Sequence, residues 1–266
     1  KILGIRISSF LAGKLLKLIG PFFRSKKVCL SNLSIAFPNL ELSKKEEILN
    51  EMWINYGKIL AEYMFINNFR NSKISNNIII ENQEELNKIK NLSEPVIFIS
   101  GHFNNFELMA MHLEKSGIDL AAIYRPLNNI FLNPIMEIIR KKYICKNQIK
   151  KGIAGTKELL KFFKKGSSIA LMIDQRVSEG IKCDFFNKQA FTTTIPAQFA
   201  QKYNAKIVPI YIERLKNNAF KIKIYKSLQF SKEDSLEDIT LELNQILENM
   251  IIKNPGQWIW THGRWK

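Results

Sequence analysis

A histidine and a glutamate lie close together in a short segment that could do acid–base chemistry. The segment GHFNNFE occupies residues 101–107, with His102 near its start and Glu107 at its end. Five helical residues rotate the chain by ~500°, so the two side chains can meet only if His102 precedes the helix. A carboxylate that holds one imidazole nitrogen leaves the other nitrogen free to act as a base. We therefore expect a His102–Glu107 pair that activates a substrate hydroxyl.

The same residues also fit a purely structural interpretation. Asn104 followed by Glu107 has the spacing of a capping box, in which Glu107 closes the start of a helix and His102 is an ordinary turn residue. A strand-like run at 96–100 leads into the segment, and a helix-like run at 105–115 follows it. Because substrates of α/β proteins bind where strands end, this context favours the catalytic interpretation.

The remaining chain predicts the elements that position this segment. Apolar, β-branched runs predict strands at 96–100, 120–124, 168–173, 207–212 and 220–225. Helical periodicity predicts helices at 43–66, 83–90, 105–115, 134–142, 155–164, 196–203 and 235–252. Helices separate the first three strands, which predicts parallel pairing, whereas the last two are close enough to be antiparallel. The predicted fold class is α/β, with a mixed, mostly parallel central sheet flanked by helices.

A basic stripe runs along the N-terminal segment. On a helix, Arg6, Lys14, Lys17 and Arg24 fall within about 80° of one another, and the rest of the segment is mostly apolar. This pattern is typical of a helix at a membrane interface, although a surface helix packed on the core would also show it. We therefore divide the chain into an N-terminal membrane-associating segment, residues 1–30, and a single α/β domain, residues 31–266.

The net charge indicates an acidic partner. With 40 Lys and Arg against 24 Asp and Glu, the formal charge is +16, which suits an anionic membrane surface, an acidic protein or nucleic acid. A nucleic-acid-binding protein is the alternative from a different class. The chain carries no helix-turn-helix, RNA-recognition or zinc-finger signature, which argues against this alternative. Three scattered cysteines and three histidines predict neither a disulfide framework nor a metal site, and favour a reducing compartment.

Several motifs follow one another along nearly the whole chain. They are NLSIAFPNL (32–40), GHFNNFE (101–107), YRPLNN (124–129), ALMIDQ (170–175), FFNKQAFTTTIPAQFA (185–200) and NPGQWIWTHGRWK (254–266). In this order they resemble the bacterial lipid A lauroyl/myristoyl acyltransferases, a family related in fold to the lysophospholipid and glycerol-phosphate acyltransferases. The resemblance therefore implies an acyltransferase fold of that type.

The resemblance also implies a reaction and a set of site residues. The reaction is transfer of an acyl chain from acyl carrier protein to a hydroxyl of a lipid A precursor, at the cytoplasmic face of the inner membrane, without metal or cofactor. His102 and Glu107 match the catalytic pair of the family. We assign substrate binding to residues in the other motifs and in the predicted helix after YRPLNN: Arg125, Arg140, Asp174, Gln175 and Arg264.

Other acceptors and another class of protein fit some of these features. The acceptor could be a lysophospholipid, an ornithine-type lipid or a glycolipid, because the motifs indicate hydroxyl acylation more directly than they indicate the acceptor. A membrane-surface scaffold with a degenerate active site is a further alternative. The presence of both His102 and Glu107 argues against degeneracy.

Overall fold

The structure is a computed structural model that describes residues 3–92 and 94–266, without the side chains of Lys73 and Ser75. Lys1 and Ile2, part of the predicted N-terminal segment, lie outside the described residues. In chain order the α-helices α1 to α10 span Gly4–Phe23, Lys26–Ala36, Leu42–Glu62, Ile66–Asn71, Gln83–Lys90, Glu107–Lys115, Leu132–Tyr143, Ile153–Lys164, Ile195–Tyr203 and Leu236–Lys253. The strands β1 to β9 span Ile78–Glu81, Ile97–Ser100, Leu120–Tyr124, Asn147–Lys150, Ser168–Met172, Ile181–Phe185, Lys188–Thr192, Ile207–Arg214 and Phe220–Ile224.

Seven of these strands form one mixed sheet in the order β1-β9-β8-β2-β5-β3-β4. Strands β8, β2, β5, β3 and β4 are mutually parallel, while β9 is antiparallel to β8 and parallel to β1. Strands β6 and β7 form a separate antiparallel hairpin. The predicted fold class is confirmed, since the sheet is mostly parallel and helices connect its parallel strands.

The central strands are apolar on both faces, which explains their position. Every residue of β2 and of β8 is buried, as expected for strands covered by helices on both sides of a parallel sheet.

The helices that cover the sheet carry recognisable signals at their ends. In α10 the Ser235 hydroxyl accepts a hydrogen bond from the Asp238 backbone N–H, and α9 has Pro196 in its first turn and ends at Asn204 in the left-handed region.

The N-terminal helix α1 packs antiparallel to α3 through glycines. Gly13 lies against Ile54 and Lys58, Gly20 against the Trp53 ring, and Gly57 against the backbone of α1, so each lets the two helices approach closely. Within the described ranges, no helix is long and apolar enough to cross a membrane. The membrane association of residues 1–30 stays a prediction.

The helix α2 joins the N-terminal segment to the core. The predicted boundary between residues 30 and 31 falls inside this helix, whose Cys29 and Leu33 are buried in the main apolar cluster. The Asn32 side chain donates to the backbone carbonyls of Trp260 (2.8 Å) and His262 (2.7 Å). The α2 helix therefore ties the first motif of the sequence to the last.

Candidate active site

The carboxyl ends of three neighbouring strands bring the predicted site residues together. His102 follows β2, Arg125 follows β3, and Asp174 and Gln175 follow β5. Because β2, β5 and β3 are adjacent and parallel, these loops leave the same edge of the sheet. A cavity of about 530 Å³ opens there, and His102, Glu107, Arg125, Arg140 and Gln175 line it.

The carboxylate that holds His102 is Asp174. The His102 Nδ1–H donates to Asp174 Oδ1 at 2.8 Å, and the His102 backbone N–H donates to Oδ2 at 2.7 Å. The Trp258 indole N–H also donates to Oδ2, at 2.7 Å. A side chain at position 101 would press against Asp174, so Gly101 allows this close approach. The arrangement leaves Nε2 of His102 facing the cavity.

The pKa shifts of Asp174 and His102 agree with the geometry of the pair. Burial alone would raise the pKa of Asp174, but the charge and hydrogen bonds of His102 outweigh it, and the pKa falls from 3.8 to about 2. Burial likewise opposes charging of His102, yet the Asp174 carboxylate more than compensates and raises the imidazole pKa above its ordinary value. His102 is thus a stronger base than an isolated histidine.

The predicted contact between His102 and Glu107 is wrong. Ser100 of β2 lies opposite Met172 of β5, so in the same register His102 and Asp174 leave the sheet side by side, each two residues later. Glu107 begins α6 and points instead to Arg140, which donates to its Oε1 through Nε (2.8 Å) and Nη2 (2.7 Å). The orienting carboxylate is supplied by a neighbouring strand, which the local spacing could not show.

The capping-box interpretation is also wrong. The first turn of α6 has no side-chain cap, and Asn104 adopts a positive φ of 41° in the turn before it. The Asn104 side chain bonds to Gln257, and its backbone N–H donates to the Gln257 carbonyl at 3.0 Å. The turn is therefore held by the C-terminal segment and not by Glu107.

Arg140 lines the cavity and has one buried guanidinium nitrogen without a hydrogen-bond partner among the described residues. Its Nε and Nη2 bind Glu107, and its guanidinium lies 5.4 Å from the centre of the Tyr124 ring. Among the described residues, no group accepts a hydrogen bond from its buried Nη1. Burial opposes the charge of Arg140, but Glu107 outweighs it and raises the pKa above the ordinary value. The result is a permanently charged donor at the cavity wall.

Tyr63 is a site residue that the sequence interpretation missed. It lies in a single 3₁₀ turn after α3, and its hydroxyl donates to Glu107 and lies 3.4 Å from Arg140 Nη2. Burial and the neighbouring Glu107 carboxylate raise the pKa of Tyr63 well above its ordinary value, so the hydroxyl stays protonated. No local motif marks Tyr63, since the residues that it joins are distant in sequence.

A second buried ion pair lies beneath the same turn and was missed as well. Arg214, at the end of β8, donates through Nη1 and Nη2 to Glu62, with Nη2 at 3.1 Å from Oε2. Its Nε donates to the side-chain oxygens of Asn55 (3.0 Å) and Asn104 (3.3 Å). Glu62 also accepts from Asn105, at 3.1 Å. This network holds the residues that directly follow His102.

The residues assigned to substrate binding divide into two groups. Arg125 is exposed at the cavity rim, and the side-chain nitrogen of Gln175 lies 3.5 Å from His102 Nε2, so both lie where a substrate can reach them. Asp174 is only 2% exposed and contacts His102 instead. Arg264 has no exposed surface: it donates to Phe191 O (2.7 Å) and Thr192 Oγ1 (2.6 Å). Direct substrate contact is therefore wrong for Asp174 and Arg264.

Neither metal ligation nor a disulfide accounts for the site. In the part of the chain that the structure describes, no three His, Cys, Asp or Glu side chains are grouped closely enough to hold a metal ion. The three cysteines are free and buried. The chemistry that the arrangement supports is proton transfer by an oriented imidazole beside a fixed cationic donor.

A histidine–carboxylate pair at the carboxyl edge of a mostly parallel sheet, beside a cavity with a charged donor, is an arrangement that suits an α/β enzyme and can support general-base catalysis. The family model described as "Bacterial lipid A biosynthesis acyltransferase" matches residues 1–266. The chain belongs to this family, and the predicted resemblance is confirmed. It is therefore an acyltransferase.

Known relatives are similar along most of their length. The lipid A biosynthesis palmitoleoyltransferase of Escherichia coli (strain K12) is 22% identical over 97% of this chain and 84% of its own length. The lipid A biosynthesis lauroyltransferase of the same organism is 23% identical over 91% of this chain and 79% of its own length. The solved structure of the 1-acyl-sn-glycerophosphate (LPA) acyltransferase PlsC from Thermotoga maritima shares 15% identity at a TM-score of 0.45, covering 96% of this chain and 100% of that one.

Proposed function

We propose that this protein transfers an acyl chain from acyl carrier protein to a hydroxyl of a lipid A precursor. Membership of the lipid A acyltransferase family supports acyl transfer to an acceptor of this type. Relatives named for palmitoleoyl, myristoyl and lauroyl transfer support an acyl chain as the transferred group. The observation that carries the mechanism is the His102–Asp174 pair at the cavity wall.

His102 acts as the general base. With its Nδ1–H donating to Asp174, the neutral imidazole presents Nε2 to the acceptor hydroxyl and takes its proton as the oxygen attacks the thioester carbonyl. Asp174 fixes the tautomer and stabilises the imidazolium that forms. A carbon–oxygen bond forms, the carbon–sulfur bond breaks, and the imidazolium gives its proton to the departing thiolate, which leaves as the thiol of acyl carrier protein.

Arg140 stabilises the charge that develops on the carbonyl oxygen. Its Nη1 is buried at the cavity wall with no acceptor among the described residues, while Glu107 and Tyr63 fix the rest of the guanidinium. A preorganised cationic donor of this kind costs no reorganisation as the oxyanion forms. In this mechanism Glu107 positions Arg140, whereas His102 carries the proton.

The charge of the chain supports the proposed partners and location. A net charge of +16 attracts an acidic carrier protein and also favours the anionic inner leaflet of the membrane. The helix α1 exposes Phe10, Leu18, Phe22 and Phe23, which suits peripheral contact of the N-terminal segment with the cytoplasmic face of the inner membrane.

The test is a transfer assay in mixed micelles, with acyl carrier protein thioesters as donors and a tetra-acylated lipid A precursor as acceptor. Mass spectrometry should show a gain of one acyl chain. The variant His102→Ala should transfer ~10²–10⁴-fold more slowly, since it lacks the base. The matched control is His112→Asn, which removes a histidine whose Nε2 lies 3.4 Å from Ser116 Oγ and which does not line the cavity.

Two outcomes would contradict the proposal, and they contradict different parts of it. Undiminished transfer by His102→Ala, with a circular dichroism spectrum like that of the wild type, would exclude His102 as the base. Acylation of a lysophospholipid, an ornithine-type lipid or a glycolipid, with none of the lipid A precursor, would retain the chemistry and replace the acceptor.

A further inference from the structure

The helix α7 and the loop before it expose an unusual number of large apolar side chains. In the loop, Ile130 and Phe131 are 74% and 79% exposed. Leu132, Ile135 and Ile138 follow on one face of α7, since residues three apart in a helix are neighbours. The opposite face carries the buried Arg140. An exposed apolar surface of this kind marks a contact with a protein or with a membrane.

The charges around this surface indicate an anionic membrane. Residues 120–157 contain eight Lys and Arg and a single carboxylate, Glu137. That carboxylate is paired with Lys150 at 3.3 Å and accepts from Asn133 at 2.8 Å, so it does not oppose an anionic surface. Lys142 lies one turn beyond Ile138 on the same face, where a long cationic side chain can reach lipid phosphates while the apolar residues enter the acyl boundary.

Residues that line the cavity flank this surface along the chain. Arg125, exposed at the rim, precedes the apolar loop, and Ile153, 83% exposed, begins α8, the helix after α7. Both residues line the cavity. A membrane that contacts α7 would therefore meet the opening through which an acyl chain must pass.

The end of α3 lies close to α7, on the side of α7 that carries Arg140. Tyr63 contacts Arg140 of α7, and its neighbour Met64 is 53% exposed at the junction, together with Leu60. Because α1 runs antiparallel to α3, its first turns approach this same end of α3, where Ile7 is exposed.

From this placement we propose that the surface formed by Ile130, Phe131, Leu132, Ile135 and Ile138, the α7 surface, inserts into the interfacial region of an anionic lipid bilayer. It is a second membrane contact beside the N-terminal segment, and it orients the cavity mouth toward the lipid. The proposal uses the proposed function only in assigning the cavity to acyl transfer. Membrane insertion can be measured without catalysis, so either can fail alone.

The first experiment places an environment-sensitive NBD dye on single introduced cysteines of the full chain. The three native cysteines are buried, which keeps labelling selective. With vesicles of phosphatidylglycerol and phosphatidylethanolamine, dye at Phe131→Cys and Ile138→Cys should brighten and shift to the blue. Dye at Lys165→Cys should not, because Lys165 lies in the turn between α8 and the start of β5, at the opposite edge of the sheet. Dye at Leu18→Cys reports the contact of α1.

The second experiment measures vesicle flotation of a double variant, Ile135→Ser with Ile138→Ser. We expect binding to weaken by tenfold or more, since the variant loses apolar area from the membrane contact. The control Ile252→Ser removes an isoleucine that is 53% exposed on α10, against 54% for Ile135, and should bind like the wild type. Unchanged thermal unfolding of each variant would show that the fold is intact.

Other outcomes overturn the proposal. If dye on α1 responds to vesicles and dye on α7 does not, only the N-terminal segment contacts the membrane. If dye on α7 responds to acyl carrier protein without lipid, and not to vesicles, the surface binds the protein donor. Equal flotation of the double variant and the Ile252→Ser control would likewise overturn it.

Discussion

Two buried arginine–carboxylate pairs lie near the turn after His102, and they differ in one respect. Arg214 is fully satisfied: its three nitrogens bind Glu62 and two asparagines, and its guanidinium lies 4.6 Å from the centre of the Phe220 ring. Arg140 binds Glu107 with two nitrogens and leaves Nη1 unpaired, at the cavity wall. We propose that similar chemistry serves structure at Arg214 and catalysis at Arg140. The unpaired donor distinguishes the two roles.

Removal of Arg214 should have the largest effect, and the effect should be on stability. The variant Arg214→Ala leaves Glu62, which has no exposed surface, as an uncompensated buried charge. We expect the free energy of unfolding to fall by ~3–5 kcal/mol, measured by urea denaturation. The control Lys26→Ala breaks a pair that is about half exposed, with Glu46, and should change little. Equal losses in the two variants would show that burial of the Arg214 pair is unimportant.

Replacement of Arg140 by lysine should affect the rate more than the fold. Arg140→Lys keeps a positive charge near Glu107 but cannot supply the free Nη1 donor. We expect kcat to fall by ~10²–10³-fold, the usual effect of losing one oxyanion donor. The unfolding midpoint should drop less than in Arg214→Ala. A variant with wild-type kcat and a large loss of stability would reverse the roles that we assign to the two arginines.

Tyr63 should contribute a smaller share of the same effect. Tyr63→Phe removes the hydroxyl that donates to Glu107, so the position of Arg140 becomes less well defined. We expect kcat to fall about tenfold, corresponding to ~1.4 kcal/mol, with KM nearly unchanged. Tyr56→Phe is the matched control, two turns earlier on α3 and 38% exposed. A change in KM alone would indicate that Tyr63 contacts the substrate and does not position Arg140.

The pH dependence should separate the His102–Asp174 pair from both arginines. Because the pKa of His102 is raised, transfer should decline as pH falls through an apparent pKa above 6.5. In Asp174→Asn the imidazole loses its anionic partner, so the midpoint should move to lower pH, with a much lower plateau. Arg140→Lys should leave the midpoint nearly in place. A midpoint that is the same in wild type and Asp174→Asn would contradict the pairing.

Both members of the pair stabilise the fold, but their contributions depend on pH in opposite directions. The pKa of Asp174 is lowered to about 2, so its stabilisation is present above its ordinary value of 3.8 and is lost as pH falls toward 2. The pKa of His102 is raised, so its stabilisation is present below 6.5 and is lost as pH rises through the folded value. Acid unfolding of the wild type should therefore be steeper below pH 4 than that of Asp174→Asn.

The strands of the core were predictable because their pattern is local. All five predicted strands exist, since runs such as 96–100 and 168–173 are apolar on both faces and are bounded by polar turns. The short polar edge strand β4, Asn147–Lys150, was missed, as expected for a segment with one buried residue. In β6 of the β6–β7 hairpin, the segment IKCDF alternates apolar and polar residues, which is a detectable strand signal. Its turn uses Phe186 and Asn187 at positive φ.

The candidate site was predictable only in part. The sequence located His102, Arg125 and Gln175 because each sits in a distinctive motif at the end of a predicted strand, and it located Arg140 in the predicted helix that follows YRPLNN. It assigned the wrong partner to His102, since the closest carboxylate along the chain was Glu107. It also assigned Arg264 to the substrate, whereas that side chain fills the interior beside Thr192. Motif membership indicates that a residue matters without indicating what it contacts.

The amino-acid sequence by itself determined the family, the α/β class, the histidine at the end of β2 and a strongly basic charge balance. The family follows from the ordered series of motifs, and the other features follow from residue types and local periodicity, which the chain carries wherever it folds. The tertiary structure decided that Asp174 holds His102, that Glu107 and Tyr63 hold Arg140, and that the apolar residues of α7 remain exposed. Strand order and register set these contacts, and both depend on the packing of segments far apart in sequence.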